Sequence, residues 1–233
     1  APYRRVVVKL GSGVLSGGGE GLHAGTLNRL ALEVASAKEG GREVVVVSSG
    51  AILAGKGRLG IAGKPSVQLK QAAAAVGQSR LMRAWEAAFG REGMIAAQVL
   101  LTRDDVRRRE RYLNARNTLF ELLRLKVVPV INENDTVAVE EIQFGDNDVL
   151  SALVASLADA QLLVLLTDQE GLFDADPRKD PAARIVRRGA AGESSAGLED
   201  AAPGPWGSGG MGSKDRAARM AAASGIPAVI ASG

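Results

Sequence analysis

The strongest constraint on the fold is a rhythm of short, unbroken aliphatic runs separated by longer stretches with helical spacing. Runs at residues 6–10, 44–47, 96–101, 127–131 and 162–167 are β-branched or leucine-rich, and a shorter one lies at 228–230. They are continuous rather than alternating, the pattern of strands covered on both faces. Between them, Leu27, Leu30, Ala31, Val34 and Ala35 recur at helical spacing, and Gly40-Gly41 stops that helix. Residues 67–89 read as a long alanine-rich helical stretch interrupted at Gly77, and 114–126, 148–157 and 214–224 complete the set. Strand–helix alternation throughout predicts an α/β fold: a three-layer αβα sandwich around a mainly parallel sheet.

The chain has 233 residues. At roughly 100–200 residues per domain this allows one large domain or two small ones. No internal repeat or linker interrupts it, so a single domain over 1–233 is expected. Residues 189–212 are rich in Gly, Ala, Ser and Pro and read as a long loop. The cysteine count of 0 excludes disulfides, thiolate nucleophiles and zinc–thiolate sites, and suits a reducing, cytoplasmic setting. His23 is the single histidine, so no Ser-His-Asp triad exists without it. The net charge of +3 is weak support for nucleic-acid binding. No apolar run approaches the roughly 20 residues of a membrane span, and the N-terminus lacks the apolar core of a signal peptide. The expectation is therefore no nucleic acid and no membrane.

Polar turns follow the aliphatic runs. The first run leads into Lys9-Leu10-Gly11-Ser12-Gly13. A lysine near a strand end, followed by a glycine turn, is where parallel sheets put ligand-binding groups, and glycines let backbone N–H groups approach an anion. A purely structural glycine turn fits equally. The second run ends in Ser48-Ser49-Gly50-Ala51, a turn that opens a helix, where Ser49 can cap that helix, offer its hydroxyl to a ligand, or do both. The fourth ends in Asn132-Glu133-Asn134-Asp135, followed by Gly145-Asp146-Asn147-Asp148. These clusters supply amides and carboxylates suited to an ammonium group, a hydroxyl or a magnesium shell, although such residues also build plain turns. Thr167-Asp168 ends the fifth run and either shapes a turn or contacts a nucleotide.

The sharpest local signal is Gly207-Ser208-Gly209-Gly210-Met211-Gly212-Ser213-Lys214. The order of Ser and Lys, and the lack of a preceding strand, exclude a Walker motif. A glycine-rich loop opening a helix with a lysine in its first turn still suits phosphate oxygens; a flexible loop is the plain alternative. Arg107-Arg108-Arg109, with Arg103, Arg111 and Arg116 nearby, is interrupted by Asp104, Asp105 and Glu110 and reads as a solvated helix face or an oligomer contact.

Taken together these stretches resemble the amino-acid kinase family, and within it the members that phosphorylate glutamate. The similarity spans nearly the whole chain. It runs through the Lys9 turn, Ser48–Ile52, Ala74–Leu81, Leu101-Thr102-Arg103, Arg111–Arg116, the two Asn/Asp clusters, Thr167-Asp168 with Gly171-Leu172, and Gly209-Gly210-Met211 with Lys214. Related kinases of aspartate, N-acetylglutamate, carbamate or UMP lack the Asn-Glu-Asn-Asp and Gly-Asp-Asn-Asp pair in this form. The resemblance implies an eight-stranded, mainly parallel sheet and transfer of phosphate from ATP to the side-chain carboxylate of L-glutamate, the first step of proline biosynthesis. It implies that Lys9 and Lys214 contact the transferring phosphate and ATP, and that Asp148 holds both lysines. It assigns Ser49, Asp135, Asn147 and Asn132 to glutamate. To the nucleotide it assigns Lys9, Thr167, Asp168, Ser208, Gly209, Gly210, Met211, Gly212, Ser213 and Lys214. No protein side chain is assigned to a metal; Mg2+ is expected to be held mainly by the ATP phosphates.

The resemblance further implies a homo-oligomer and transient hand-over of the product to glutamyl phosphate reductase. It departs in two respects. Family kinase domains continue through a final short strand beyond the equivalent of 228–233, and many bacterial members append a small PUA domain that these 233 residues do not contain. A kinase-only form or a trimmed polypeptide is expected. Glutamate's carboxylate has a reference pKa of about 4.3, so the reaction needs no general base. Two other readings remain: a non-catalytic nucleotide or amino-acid sensor on the same fold, and a nucleic-acid binder using the arginines.

Overall fold

The computed structural model describes residues 3–63, 65–138, 147–175, 180, 182–189 and 210–233. The described strands are β1 (Arg5–Leu10), β2 (Glu43–Ser48), β3 (Ala96–Leu101), β4 (Val128–Glu133), β5 (Leu162–Thr167) and β6 (Ala228–Ser232). They form one six-stranded sheet in the order β3-β4-β2-β1-β5-β6. Every pairing is parallel, as the continuous aliphatic runs predicted. Six strands among the described residues compare with the eight that the family resemblance implies.

The strand residues divide by parity, because successive side chains leave opposite faces of a sheet. Val7, Val45, Val47, Ile131, Leu163 and Leu165 face one layer, made by α6 (Arg109–Arg124), α7 (Asn147–Leu157) and α8 (Met211–Ala223). Leu10, Val44, Val46, Val128 and Val130 face the other. That layer holds α1 (Ser12–Ser16), α2 (Ala24–Glu39), α3 (Ala51–Leu59) and α4 (Val67–Arg91). Both faces are therefore covered, and the core is aliphatic apart from the stacked pair Trp85 and Phe89. Among the described residues no helix is long and apolar enough to cross a membrane.

Three local expectations change. Helix α4 does not break at Gly77; it runs unbroken through it. A Cβ at Gly77 would sit 1.7 Å from the Ala51 carbonyl oxygen, and one at Gly55 would sit 1.8 Å from that of Ala73. The glycines allow α3 and α4 to touch backbone to backbone. Ser49 does not cap α3: the cap is Gly50, at φ 106°, which makes no side-chain cap bond. Helix α6 begins at Arg109 rather than near residue 114, a turn that the short helix α5 (Arg103–Arg107) immediately precedes. His23 is exposed and caps α2, its ring nitrogen accepting from the Thr26 N–H at 3.2 Å.

In a parallel sheet all strand ends of one kind lie together, and ligands bind at the carboxyl edge. Lys9, Ser49, Asn132, Asp135 and Thr167 all fall on or just beyond that edge, on β1, β2, β4 and β5. Helices α7 and α8 begin there too, carrying Asn147, Asp148 and Lys214.

Candidate active site

The centre of the site is a buried charge cluster. Lys9 shares the parity of Val7, so its side chain leaves β1 toward the α7 layer and meets Asp148 in the first turn of α7. The two form an ion pair in which the side chains are 2% and 0% exposed. Lys214, also buried, reaches the other carboxylate oxygen from α8 at 3.4 Å. Ser213 donates to the same Oδ2 at 2.7 Å, and its hydroxyl accepts from the Gly210 N–H at 3.1 Å, securing the start of α8. Two ammonium groups on one carboxylate leave a net positive charge. The N-terminal end of α7 adds a favourable field for Asp148.

On the β5 side, Thr167 is buried and its hydroxyl lies 3.2 Å from Asp168 Oδ1. A Cβ on Gly13 would come within 3.1 Å of Asp168 Oδ2, so that glycine lets the β1 and β5 turns close on each other. A Cβ on Gly11 would lie 3.6 Å from Lys9 Nζ. Glycine there leaves that flank of the ammonium uncovered by a side chain.

On the β2–β4 side the arrangement is built from amides. Asn147 Nδ2 donates to Ser49 Oγ and to Asn132 Oδ1, both at 2.9 Å. Asn147 Oδ1 is buried and lacks a hydrogen-bond partner among the described residues. Buried acceptors are seldom left unpaired, so this atom fits a ligand donor. Asp135 lies in the turn after β4, and burial pushes its carboxyl up to about 6. Such a carboxylate gains from a cation placed against it.

The structure thus brings Lys9, Asp148 and Lys214 into one cluster and Ser49, Asn132 and Asn147 into another. Asp135, Thr167 and Asp168 lie on the same edge. Gly210, Met211, Gly212 and Ser213 surround the start of α8; Ser208 and Gly209 lie outside the described residues, as do Gly145 and Asp146. Sequence reasoning did not single out Gln78, whose Oε1 accepts from Asn132 Nδ2 at 2.9 Å. Its signal in the sequence is its place beside Gly77 within the Ala74–Leu81 stretch that carries the family resemblance. The arginine patch is partly neutralised by its own acids: Arg108 pairs with Asp104, and Arg111 with both Asp104 and Asp105. Among the described residues no group of three His, Asp or Glu side chains is placed to hold a metal ion.

The Amino acid kinase family model matches residues 4–232. A glutamate 5-kinase of Chromohalobacter salexigens is 55% identical over 231 residues, covering 99% of this chain and 61% of its own length. Glutamate 5-kinases of Geobacter metallireducens and Nitrosococcus oceani are 52% and 53% identical, again over 99% of this chain and 62% of theirs. The chain thus spans about three-fifths of the length of these curated relatives.

Proposed function

The chain belongs to the amino acid kinase family, and from that premise we propose that it phosphorylates the side-chain carboxylate of L-glutamate. ATP and L-glutamate would give L-glutamyl 5-phosphate and ADP, the glutamate 5-kinase reaction that opens proline biosynthesis. The observation that carries this reading is the buried Lys9–Asp148–Lys214 cluster, flanked by an amide group whose Asn147 Oδ1 lacks a donor among the described residues.

In this reading Asp135 and Asn147 Oδ1 take the α-ammonium of glutamate. Ser49, which accepts from Asn147, keeps its own proton for a substrate carboxylate. The attacking carboxylate is already ionised at neutral pH, with a reference pKa of about 4.3, so no side chain must remove a proton. The difficulty is repulsion between two anions. Lys9 and Lys214, aligned by Asp148, offset the charge of the transferring phosphoryl group and its donor. The Gly11 turn keeps the space beside Lys9 open, while Thr167, Asp168 and the start of α8 face the nucleotide. Mg2+ arriving on the ATP phosphates supplies further neutralisation, which suits a site whose central carboxylate already serves two lysines.

The cysteine-free sequence supports a reducing cytoplasm as the setting. Leu69 and Val76, seven positions apart on α4 and both more than a third exposed, support self-association. The reaction's acyl phosphate is labile, which supports prompt hand-over to a reductase. The test is release of ADP by the purified chain with Mg2+ and ATP, with and without L-glutamate. Glutamate-dependent release is expected; ATP binding with no such turnover would favour the sensor reading.

A further inference from the structure

A chain of side-chain amides runs along the carboxyl edge of the sheet, and a backbone group fixes its polarity. The Glu133 N–H can only donate, and it donates to Asn132 Oδ1 at 2.9 Å. Asn132 Nδ2 must then face the other way, where it donates to Gln78 Oε1 at 2.9 Å. Gln78 Nε2 donates onward to Gln98 Oε1 at 3.2 Å. In the opposite direction, Asn132 Oδ1 also accepts from Asn147 Nδ2 at 2.9 Å. The second proton of that amide goes to Ser49 Oγ.

Both protons of Asn147 are therefore committed to protein acceptors. Its oxygen is the end of the chain: buried, and without a partner among the described residues. If Asn147 were turned over, its oxygen would face Asn132 Oδ1, acceptor against acceptor, and the two bonds that its NH2 group makes to Asn132 and Ser49 would be lost. The direction of every bond thus follows from Asn132 being held at both ends, by the Glu133 backbone and by Gln78.

We infer that Gln78 is a positioning residue: by holding Asn132 it fixes the polarity of the Asn132–Asn147–Ser49 chain and presents Asn147 Oδ1 to an ammonium group of the substrate. Gln78 touches no substrate itself. Its acceptor oxygen matters, and its NH2 group serves only to join it to Gln98. The device favours a substrate with a free amino group over the same dicarboxylate lacking one. Naming that substrate as glutamate rests on the function proposed above; the amide geometry does not.

Two variants separate the acceptor from the side chain's bulk. Q78L removes the acceptor, and Q78E keeps an oxygen facing Asn132 while Gln98 turns its amide to donate. Q78L is expected to raise KM for glutamate about tenfold, the scale of one hydrogen bond to a charged group. KM for ATP, kcat and the inhibition constant of glutarate, which has no amino group, are expected to stay within about twofold. Q78E is expected to recover most of the glutamate affinity. A Q78L enzyme with unchanged KM for glutamate, an equal rise in KM for ATP, or a Q78E enzyme as impaired as Q78L would overturn the proposal.

A substrate-free measurement keeps this separate from the identity of the reaction. Side-chain amide protons of Asn132 and Asn147 in 15N-labelled protein are expected to exchange slowly in wild type and Q78E and faster in Q78L. Equal exchange in all three overturns the role of Gln78. Wild-type protein that shows this exchange pattern but no glutamate turnover overturns the glutamate reading alone.

Discussion

Lys9 and Asp148 face each other from the end of β1 and the first turn of α7, with side chains 2% and 0% exposed. A buried pair of this kind gains little net stability, because desolvation offsets most of the attraction. Here it is supported by Lys214, by the Ser213 hydroxyl and by the end of α7. The arrangement holds two cations at fixed positions, which on the proposed function face the phosphates of ATP.

Removing the carboxylate should therefore be felt first in stability. Asp148→Ala leaves two buried ammonium groups without their counter-charge and is expected to cost about 3–5 kcal/mol. Phosphate or ATP should raise Tm more in this variant than in the wild type, because the anion takes the place of the lost carboxylate. Urea unfolding and thermal melts check both. An unchanged midpoint would mean that the lysines do not depend on Asp148.

Removing either cation should be felt in catalysis. Lys9→Ala and Lys214→Ala are each expected to lower kcat by roughly a hundredfold or more, as the loss of one preorganised contact to developing charge does. Steady-state kinetics on variants verified as folded by circular dichroism decides it. Near-normal turnover in either would take that lysine out of phosphoryl transfer.

Asp135 should set an acid limb on glutamate binding and leave the chemical step alone. Its carboxyl is raised to about 6 in the free protein by burial, and only the ionised form pairs with an ammonium group. The expectation is that kcat/KM for glutamate falls as pH drops through about 6, while kcat stays level between about pH 6.5 and 8.5. Asp135→Asn should flatten the limb and raise KM for glutamate far more than for ATP. His23→Asn should change neither curve, since asparagine also caps a helix.

The same shift makes a stability prediction with a definite sign. The folded value of about 6 lies above the ordinary 3.8, so the folded state favours the protonated carboxyl. That stabilisation is complete below the unfolded value and is lost as pH rises from about 4 to 6. Asp135→Asn should therefore match the wild-type Tm near pH 4 and exceed it above pH 6. Melting curves across that range check it; a constant difference at all pH values would show that titration of Asp135 is not the cause.

Two glycines in one helix should respond oppositely to alanine. At Gly90 a Cβ would meet nothing within 4 Å, so Gly90→Ala should stabilise α4 by up to about 1 kcal/mol through helix propensity. At Gly77 the new carbon would lie 1.7 Å from the Ala51 carbonyl, on rigid backbone. Gly77→Ala should be destabilising by about 1–3 kcal/mol or more. It should also disturb Ser49, because α3 starts at the turn that carries it. Chemical denaturation of the two variants side by side is the check.

The parallel sheet was legible because both faces are covered, which makes each strand a continuous aliphatic run. Residues 96–101 and 162–167 match β3 and β5 to the residue. The short helix α1 was not legible, since it begins in a glycine turn that carries no periodic signal; of α3 only the start, after Ser49-Gly50, was. Gly77 was misread because its cost to a helix is local, whereas its reason, the close approach of α3, is tertiary. The polar strand ends marked the site, and parity placed Lys9 on the face where Asp148 waits. The direction of the amide chain could not be read, because it depends on the Glu133 N–H meeting Asn132 across the turn of one residue and on Gln78 arriving from another helix.

The most direct measurement of the central claim is capture of the product. An acyl phosphate reacts with hydroxylamine to give a hydroxamate, so the purified chain is incubated with Mg2+, ATP, L-glutamate and hydroxylamine. The expected result is γ-glutamyl hydroxamate formed in step with ADP, absent when either substrate is omitted and strongly reduced in Lys9→Ala. ADP release without hydroxamate, or neither product despite saturable ATP binding, would contradict phosphorylation of the glutamate side chain.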